Sequence, residues 1–373
     1  MHTKLAKFLV SGAALVFLGA GCGAAATTTG PDGGMFRSVD GGTTWESKSK
    51  VLTTAATPTN FAGLDVNVFT TDPNDPKSMW VGTTSNGIFY SIDGGDSWQQ
   101  AKNFAPADLA LTTAIVNGIA VDPENKCVVY ASITAKDARS YLIRTSDCSR
   151  TWGVLYSFNE LKNEQFRAIA INPKNAKQIF VGDTAGDIFR SNNGGTSWET
   201  AVRFEDRAVR TIVIHPDGKT VFVGTAKGGL RMSSDAGATW EQVDLKPFKG
   251  AEEVYSIALS AAKPSSLLLG TKYGILRSDD LGKTWTALEL LTGPGETQIL
   301  SLAMSPQNAN RIYYGTPKGF YRTDDGGKTW TTKRTPQSTT NARIVKNLWV
   351  NVQKVGTADV ESVWFGAWRV PQN

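Results

Sequence analysis

Seven times the chain writes the same eight-residue pattern, Ser/Thr-x-Asp/Asn-x-Gly-x-Ser/Thr-Trp. The copies are Ser38–Trp45, Ser91–Trp98, Thr145–Trp152, Ser191–Trp198, Ser233–Trp240, Ser278–Trp285 and Thr323–Trp330. The third is degenerate, with Cys148 and Ser149 in the glycine places, and the fourth has Asn193 for Asp. Steps from Trp to Trp are 53, 54, 46, 42, 45 and 45 residues. A period near 45 is the size of one supersecondary unit of a repeat fold.

The pattern is a hairpin turn. Its Ser/Thr hydroxyl and Asp carboxylate suit bonds to the turn's own backbone N–H groups. Gly supplies the positive φ of a tight turn. The Trp opens the next strand and offers a large apolar surface for packing between units. These aspartates are therefore read as turn chemistry and not as catalytic acids. Around each box the chain supplies three more strand-like runs. In one unit they are Phe166–Pro173, Gln178–Asp183 and Asp187–Ser191, before the box and Trp198–Val202. Four short runs per unit, named A to D in chain order, predict a four-stranded blade.

The chain ends predict how the ring closes. Before the first box stands only a strand C, Gly34–Ser38; after the last come Lys346–Val352 and Ser362–Trp368, strands A and B with no box behind them. Joined, these make one further blade, leaving no open sheet edge. The fold class is all-β: a seven-bladed propeller of four-stranded antiparallel blades over residues 33–373, with one blade shared by the two termini.

Residues 1–21 read as an export signal, with Lys4 and Lys7 ahead of the apolar run Phe8–Leu18 and small residues before Cys22. That run is too short to span a bilayer. Without it, 37 Lys and Arg face 34 acids, a net charge of +3. So weak a bias excludes a nucleic-acid partner chosen by charge alone. With His2 and His215 as the only histidines, a His-ligated metal site or a Ser-His-Asp triad is not expected, nor is a cofactor. Cys127 and Cys148 fall in one repeat, at the start of strand B and in the C–D turn. Those places share one end of neighbouring antiparallel strands, so a disulfide is expected outside the cytoplasm.

Propellers bind at the channel mouth, where the inner A strands begin. One position, six residues before the end of each strand A, gives a ring of Asn67, Asn117, Arg167, Arg210, Tyr255, Leu300 and Lys346. Three are cationic, which predicts an electropositive mouth for carboxylates or an acidic peptide segment; the alternative is that the strand starts are merely solvated. Arg37, Arg144, Arg190, Arg277 and Arg322 precede boxes and are expected to brace the scaffold. Of the tryptophans outside boxes, Trp80, Trp349 and Trp364 are expected in the core and Trp368 at the surface.

Two resemblances follow from these residues. The boxes are similar to the Asp-box repeat of bacterial neuraminidases. The leader resembles a bacterial lipoprotein signal, although Gly19 stands where that family prefers Leu; it implies a lipid on Cys22 and a tether over 22–32, with ordinary cleavage after Ala24–Ala26 as the alternative. A single exported seven-bladed Asp-box propeller with Arg at strand-A starts most resembles the photosystem II stability and assembly factor family. Sortilin-type propellers share the repeat but have more blades. The assembly-factor resemblance implies a non-catalytic scaffold: a monomer on the extracytoplasmic side, membrane-anchored through Cys22, holding a protein partner. The alternative is a glycoside hydrolase. Sialidases use three Arg, a Tyr–Glu pair and an Asp, which Arg167, Arg210, Tyr255 and Glu253 imitate in part, but the N-terminal Arg-Ile-Pro motif is absent. Xyloglucanase-like enzymes place carboxylates between two propellers, for which Glu253 and Glu296 would be the candidates.

Overall fold

The computed structural model describes residues 33–369 except 54–58, 103, 106–109, 158–163, 206, 337–342 and 356–357. The expected leader, the tether and Cys22 lie outside the described residues. Seven four-stranded antiparallel blades form a propeller. Blade 1 runs Val66–Thr71, Met79–Thr83, Ile88–Ser91 and Gln99–Gln100. Blade 2 starts with Ile115–Val121, blade 3 with Phe166–Asn172, blade 4 with Val209–Ile214, blade 5 with Val254–Leu259 and blade 6 with Ser301–Met304. In blade 7, Arg343–Val355 and Ala358–Arg369 pair with Gly34–Ser38 and Glu46–Ser47, in the order A-B-C-D. The termini share a blade, as the repeat count requires.

Strand B sits between two strands of its own sheet and under the next blade. Every residue of Met79–Thr83, Val221–Thr225, Leu267–Thr271 and Ile312–Thr316 is buried. The recurring Gly of this strand marks where the next blade comes close. A Cβ on Gly82 would lie 2.5 Å from Val116, and one on Gly182 would lie 2.4 Å from Val209. At the closure the relation is the same: a Cβ on Gly366 of blade 7 would lie 2.4 Å from Val66 of blade 1. Blades 7 and 1 therefore pack like any other pair, although nearly the whole chain separates them.

The boxes form the expected turns. In the first, Ser38 Oγ accepts from Gly42 N at 2.7 Å, and Asp40 accepts from Thr44 N at 2.9 Å and Thr44 Oγ1 at 2.6 Å. Asn193 reproduces this geometry, with Ser197 N donating to its Oδ1 at 2.9 Å. The hydroxyls of Thr151, Thr239 and Thr284, helped by the backbone N–H groups, hold Asp147, Asp235 and Asp280 down to about 2. Box tryptophans pack between blades: Trp240 of blade 4 meets Phe180 of blade 3 edge-on at 6.4 Å, and Trp45 of blade 7 meets Phe320 of blade 6 at 5.4 Å. Arginines ahead of the boxes brace the neighbouring turn; Arg190 Nη1 donates to Gly237 O of the next box at 3.0 Å.

In the degenerate box Cys148 and Ser149 take φ of 57° and 68°; the Ser149 place is Gly in every other box, while the Cys148 place also admits Ala236 at 58° and Leu281 at 60°. Cys148 is bonded to Cys127, two residues ahead of strand B, and Cys148 N also donates to Cys127 O at 3.2 Å. The long steps of 53 and 54 hold elements that the four-strand pattern does not foresee. Lys50–Val51 pairs with Thr59–Asn60, and Phe104–Ala105 adds a parallel fifth strand to blade 2. Two tryptophan expectations are corrected. Trp349 is 37% exposed because strand A is an edge strand with no sheet neighbour on one side. Trp368 lines the channel, because strand B of blade 7 runs on to Arg369.

Candidate functional site at the channel mouth

The seven residues of the predicted ring line one cavity of about 810 Å³, at the end of the channel where the A strands begin. Thr184 and Ala226, which follow strands B of blades 3 and 4, close its rim, and Trp368 stands on its wall. Among the described residues no Asp or Glu lines it. Two residues further along each strand comes an apolar tier: Phe69, Ile119, Ile169, Ile212, Ile257, Leu302 and Leu348. In six blades the ring residue sits where the pairing of strands A and B slips by one, between Val66 and Val68 in blade 1 and at the matching places in blades 2, 3, 4, 5 and 7, so the polar ring is a ring of β-bulges next to the apolar tier.

The ring's members differ in what they are free to do. Asn67 Nδ2 donates to Val116 O of the next blade at 2.7 Å, and its Oδ1 accepts from Lys346 Nζ at 2.5 Å. Asn117 Nδ2 donates to Thr134 Oγ1 at 2.9 Å, but its Oδ1 is buried with no partner among the described residues. Arg210 lies over the Tyr255 ring at 4.4 Å, with Nη2 3.8 Å from Glu253. Glu253 also accepts from Tyr255 OH at 2.9 Å and Lys272 Nζ at 2.9 Å. The Lys272 hydrogen bond and the others hold its carboxyl below the usual range. Among the described residues the Arg167 side chain has no hydrogen-bond or ion-pair partner, and it is exposed in the mouth. Lys346 lies 4.3 Å over the Trp368 ring. Burial, and then the charge of Arg167, push its ammonium down to about 8, against an opposing pull from Asp65.

These features make an anion receptor. Two cations facing one cavity, one unpaired among the described residues and one partly discharged by its surroundings, both gain from a carboxylate that enters it. Of the sialidase-like set, Arg210, Tyr255 and Glu253 come together, with Lys272 also on Glu253, but among the described residues no Asp lines the cavity to serve as the acid. Glu296 is tied to its own turn, accepting from Gly293 N at 3.1 Å. Among the described residues no group of three or more His, Cys, Asp or Glu is placed to hold a metal.

One polar residue near the mouth is not singled out by the ring alignment. Blade 3 ends its strand B in Val-Gly-Asp where blades 1, 4 and 5 have Val-Gly-Thr or Leu-Gly-Thr. Thr83, Thr225 and Thr271 donate to the carbonyls of Gly87, Gly229 and Gly274 while accepting an N–H. Asp183 accepts three N–H groups on Oδ1, from Ala185, Gly186 and Asp187, and leaves Oδ2 buried without a partner among the described residues. Burial, joined by the charge of Asp187, raises its carboxyl to about 6. The signal in the sequence is the odd residue in a column of threonines.

Residues 221–348 match the family described as photosynthesis system II assembly factor YCF48. No curated protein sequence matches the chain. Among solved structures, a GH74 xyloglucanase from Xanthomonas campestris superposes with a TM-score of 0.65 at 16% identity, over 82% of this chain and 51% of that one. The chain thus spans about half of that enzyme's length. YCF48 bound to a D1 peptide gives a TM-score of 0.58 at 14% identity, over 83% of this chain and 94% of that one. YCF48 from Cyanidioschyzon merolae gives 0.56 at 15%, over 81% and 95%. At such identities the likeness is one of fold. The chain is a seven-bladed Asp-box propeller, similar in sequence over residues 221–348 and in fold over most of its length to the photosystem II assembly factors.

Proposed function

We propose that this chain is an exported, lipid-anchored, non-catalytic scaffold that holds an acidic segment of a protein partner at its channel mouth. The observation that carries this reading is the acid-free cavity that holds both Lys346 and Arg167, the latter unpaired among the described residues. A structural neighbour of the same length class, YCF48, is seen with a D1 peptide bound, which supports a protein partner. The place where the chain joins the propeller agrees with an anchor. Gly34 pairs with Ala367, which pairs with Val345, next to Lys346. The chain before Gly34 therefore enters the propeller at the mouth end. A tether over 22–32 spans at most about 35 Å, so a lipid on Cys22 would hold the mouth toward the bilayer, within reach of segments that leave it.

The hydrolase alternative draws support from the Tyr255–Glu253 hydrogen bond and the xyloglucanase fold. A glycosidase also needs an acid that holds its proton near neutral pH; Glu253, shifted the other way, suits only the ionised role, and among the described residues no carboxyl lines the cavity to be that acid. The chain has one propeller, covering half of that enzyme.

The test is a crosslinked pull-down from membranes with the unaltered protein and the double variant Arg167→Ala, Arg210→Ala. Both side chains are at the mouth and neither is core, so the variant is expected to fold. Loss of the captured partner is expected. Retention of every partner would sink the mouth reading, and aryl glycoside cleavage abolished by Glu253→Gln would replace it with the hydrolase.

A further inference from the structure

At the end away from the mouth, blade 2 carries a covalent bond between its A–B and C–D turns, the disulfide Cys127–Cys148. It joins two places that the repeat already joins. Cys148 N donates to Cys127 O at 3.2 Å, and five other blades make the same backbone bond between the same two places at 2.8–3.0 Å. In blade 4 it runs from Ala236 N to Lys219 O, and in blade 5 from Leu281 N to Ser265 O. None of those blades has a cysteine there. The degenerate box is also closed by bonds of its own. Asp147 accepts from Thr151 N at 2.9 Å and from Thr151 Oγ1 at 2.6 Å. Ser149, in the glycine place, is held from both sides: its N donates to Thr145 Oγ1 at 3.0 Å, and its Oγ accepts from Trp152 Nε1 at 2.8 Å. The turn therefore has its full set of bonds without the sulfurs.

The bond also stands in the open. Cys148 is exposed and Cys127 half-buried, and neither belongs to the apolar clusters on the two faces of blade 2. An exposed disulfide is the kind that thiolates open, whereas one sealed in a core is inert. We propose that Cys127–Cys148 is a thiol–disulfide exchange site, which receives the thiolate of a dithiol and hands over its disulfide. The incoming thiolate attacks the exposed Sγ of Cys148. A new S–S bond forms there, the Cys127–Cys148 bond breaks, and its electron pair leaves on Cys127, which takes a proton. The second thiolate of the dithiol then closes on its own sulfur in the mixed disulfide and frees Cys148, which takes the other proton. The dithiol gives up two electrons and two protons, the cystine accepts them, and no further oxidant or reductant enters.

The competing role is a staple. A link between cysteines 21 residues apart restricts the unfolded chain and so favours the fold. A staple and an exchange site differ in one property, whether the bond opens while the propeller stays folded. The five blades that make the same turn contact with a hydrogen bond alone favour opening without unfolding. The site is independent of the mouth. It lies at the other end of its blade, involves no charge of the cavity, and stands or falls without the scaffold reading.

The experiment treats the oxidised full chain with dithiothreitol, quenches with iodoacetamide at intervals, and counts alkylated cysteines by mass spectrometry, in buffer and in concentrated urea. Reduction in buffer is expected to run within about tenfold of the rate in urea, because attack on an exposed sulfur needs no unfolding. A staple reached only through the unfolded chain would be slower in buffer by the unfolded fraction, about a thousandfold or more, and that result would overturn the proposal. The reduced chain is expected to keep a steep urea transition at a lowered midpoint, since only the restriction on the unfolded state is lost. The double variant Cys127→Ser, Cys148→Ser is expected to match it, which separates the missing bond from the added alkyl groups. Loss of the transition in both would make the disulfide part of the fold and overturn the proposal. With glutathione in place of dithiothreitol and an early quench, the mixed disulfide is expected on Cys148 and the alkyl group on Cys127. Glutathione found mainly on Cys127 would overturn the assigned point of attack.

Discussion

Removing residues 343–373 is expected to abolish the native propeller as a whole rather than to trim one blade from it. The segment carries strands A and B of blade 7. Without it, Gly34–Ser38 loses all five of its register partners between Val363 and Ala367. Trp364 and Phe365 are fully buried: Phe365 stacks on Phe36 at 5.0 Å and meets Trp45 at 4.7 Å, and Trp364 lies against the box of blade 1 at Gly95. Truncating one such aromatic costs about 3–5 kcal/mol, and a whole domain is stable by only about 5–15 kcal/mol. The loss of both, with two strands and the flanks of blades 6 and 1 laid open, exceeds what the remaining packing supplies. Urea unfolding followed by tryptophan fluorescence reads this out. The full chain is expected to unfold in a steep transition and the truncated chain to show none. A truncated chain that unfolds with nearly the same midpoint would show that the shared blade does not close the ring.

The second large effect concerns Asp183. Replacing it with the Thr of its counterparts in blades 1, 4 and 5 is expected to stabilise the protein at neutral pH. The hydroxyl regains a donor aimed at the carbonyl four residues on, as Thr83 and Thr225 have, and the unpartnered buried oxygen disappears. The sign with pH follows from the raised carboxyl. In the folded chain Asp183 holds its proton up to about 6, and unfolded it releases it near the ordinary 3.8. Folding is therefore favoured by this group below about pH 4, and that contribution is lost as pH rises to 6. The difference corresponds to about 3 kcal/mol. Asp183→Thr should show its full gain at pH 7 and little of it below pH 4. The box aspartates act oppositely: Asp147, Asp235 and Asp280 are held near 2, so their contribution is present above pH 4 and lost as pH falls toward 2. Comparing parent and variant at each pH cancels that background. A variant no more stable than the parent at pH 7, or a difference that does not change with pH, would contradict the assignment.

The fold was legible because its signal is repeated. A single Asp-box marks a turn; seven at one spacing count blades, and the orphan strands at either end state how the ring closes. The mouth was legible for a related reason. A position fixed relative to the end of strand A recurs at the same height in each blade, so alignment of Asn67 through Lys346 collected residues that line one cavity. What alignment leaves out is the company each residue keeps. Arg167 and Arg210 occupy the same place in neighbouring blades. Arg210 is engaged because blade 5 presents Glu253 and Tyr255 to it, while no carboxylate among the described residues reaches Arg167. That difference is tertiary. Trp368 enters the cavity because blade 7's strand B is longer than its counterparts, a matter of strand length that apolar pattern alone does not set. The apolar tier two residues below the ring was present in the sequence at Phe69, Ile119, Ile169 and Ile212. It reads there as ordinary core, since strand residues facing a channel and those facing a neighbouring sheet have the same apolar character.

If an anion carried by a partner sits between Arg167 and Lys346, then Lys346 itself reports on it. Its ammonium is held down to about 8 by burial and by Arg167, with Asp65 opposing and Asn67 and Trp368 beside it. A carboxylate bound there favours the charged form, so binding near pH 8 must take up protons. Titration calorimetry at about pH 8.5, in two buffers of different ionisation enthalpy, measures this directly with a peptide that binds the mouth. The observed enthalpies are expected to differ between the buffers by the uptake of a fraction of a proton, and the difference is expected to vanish in Lys346→Gln. Equal enthalpies in the two buffers for the unaltered protein would contradict an anion seated between the two cations.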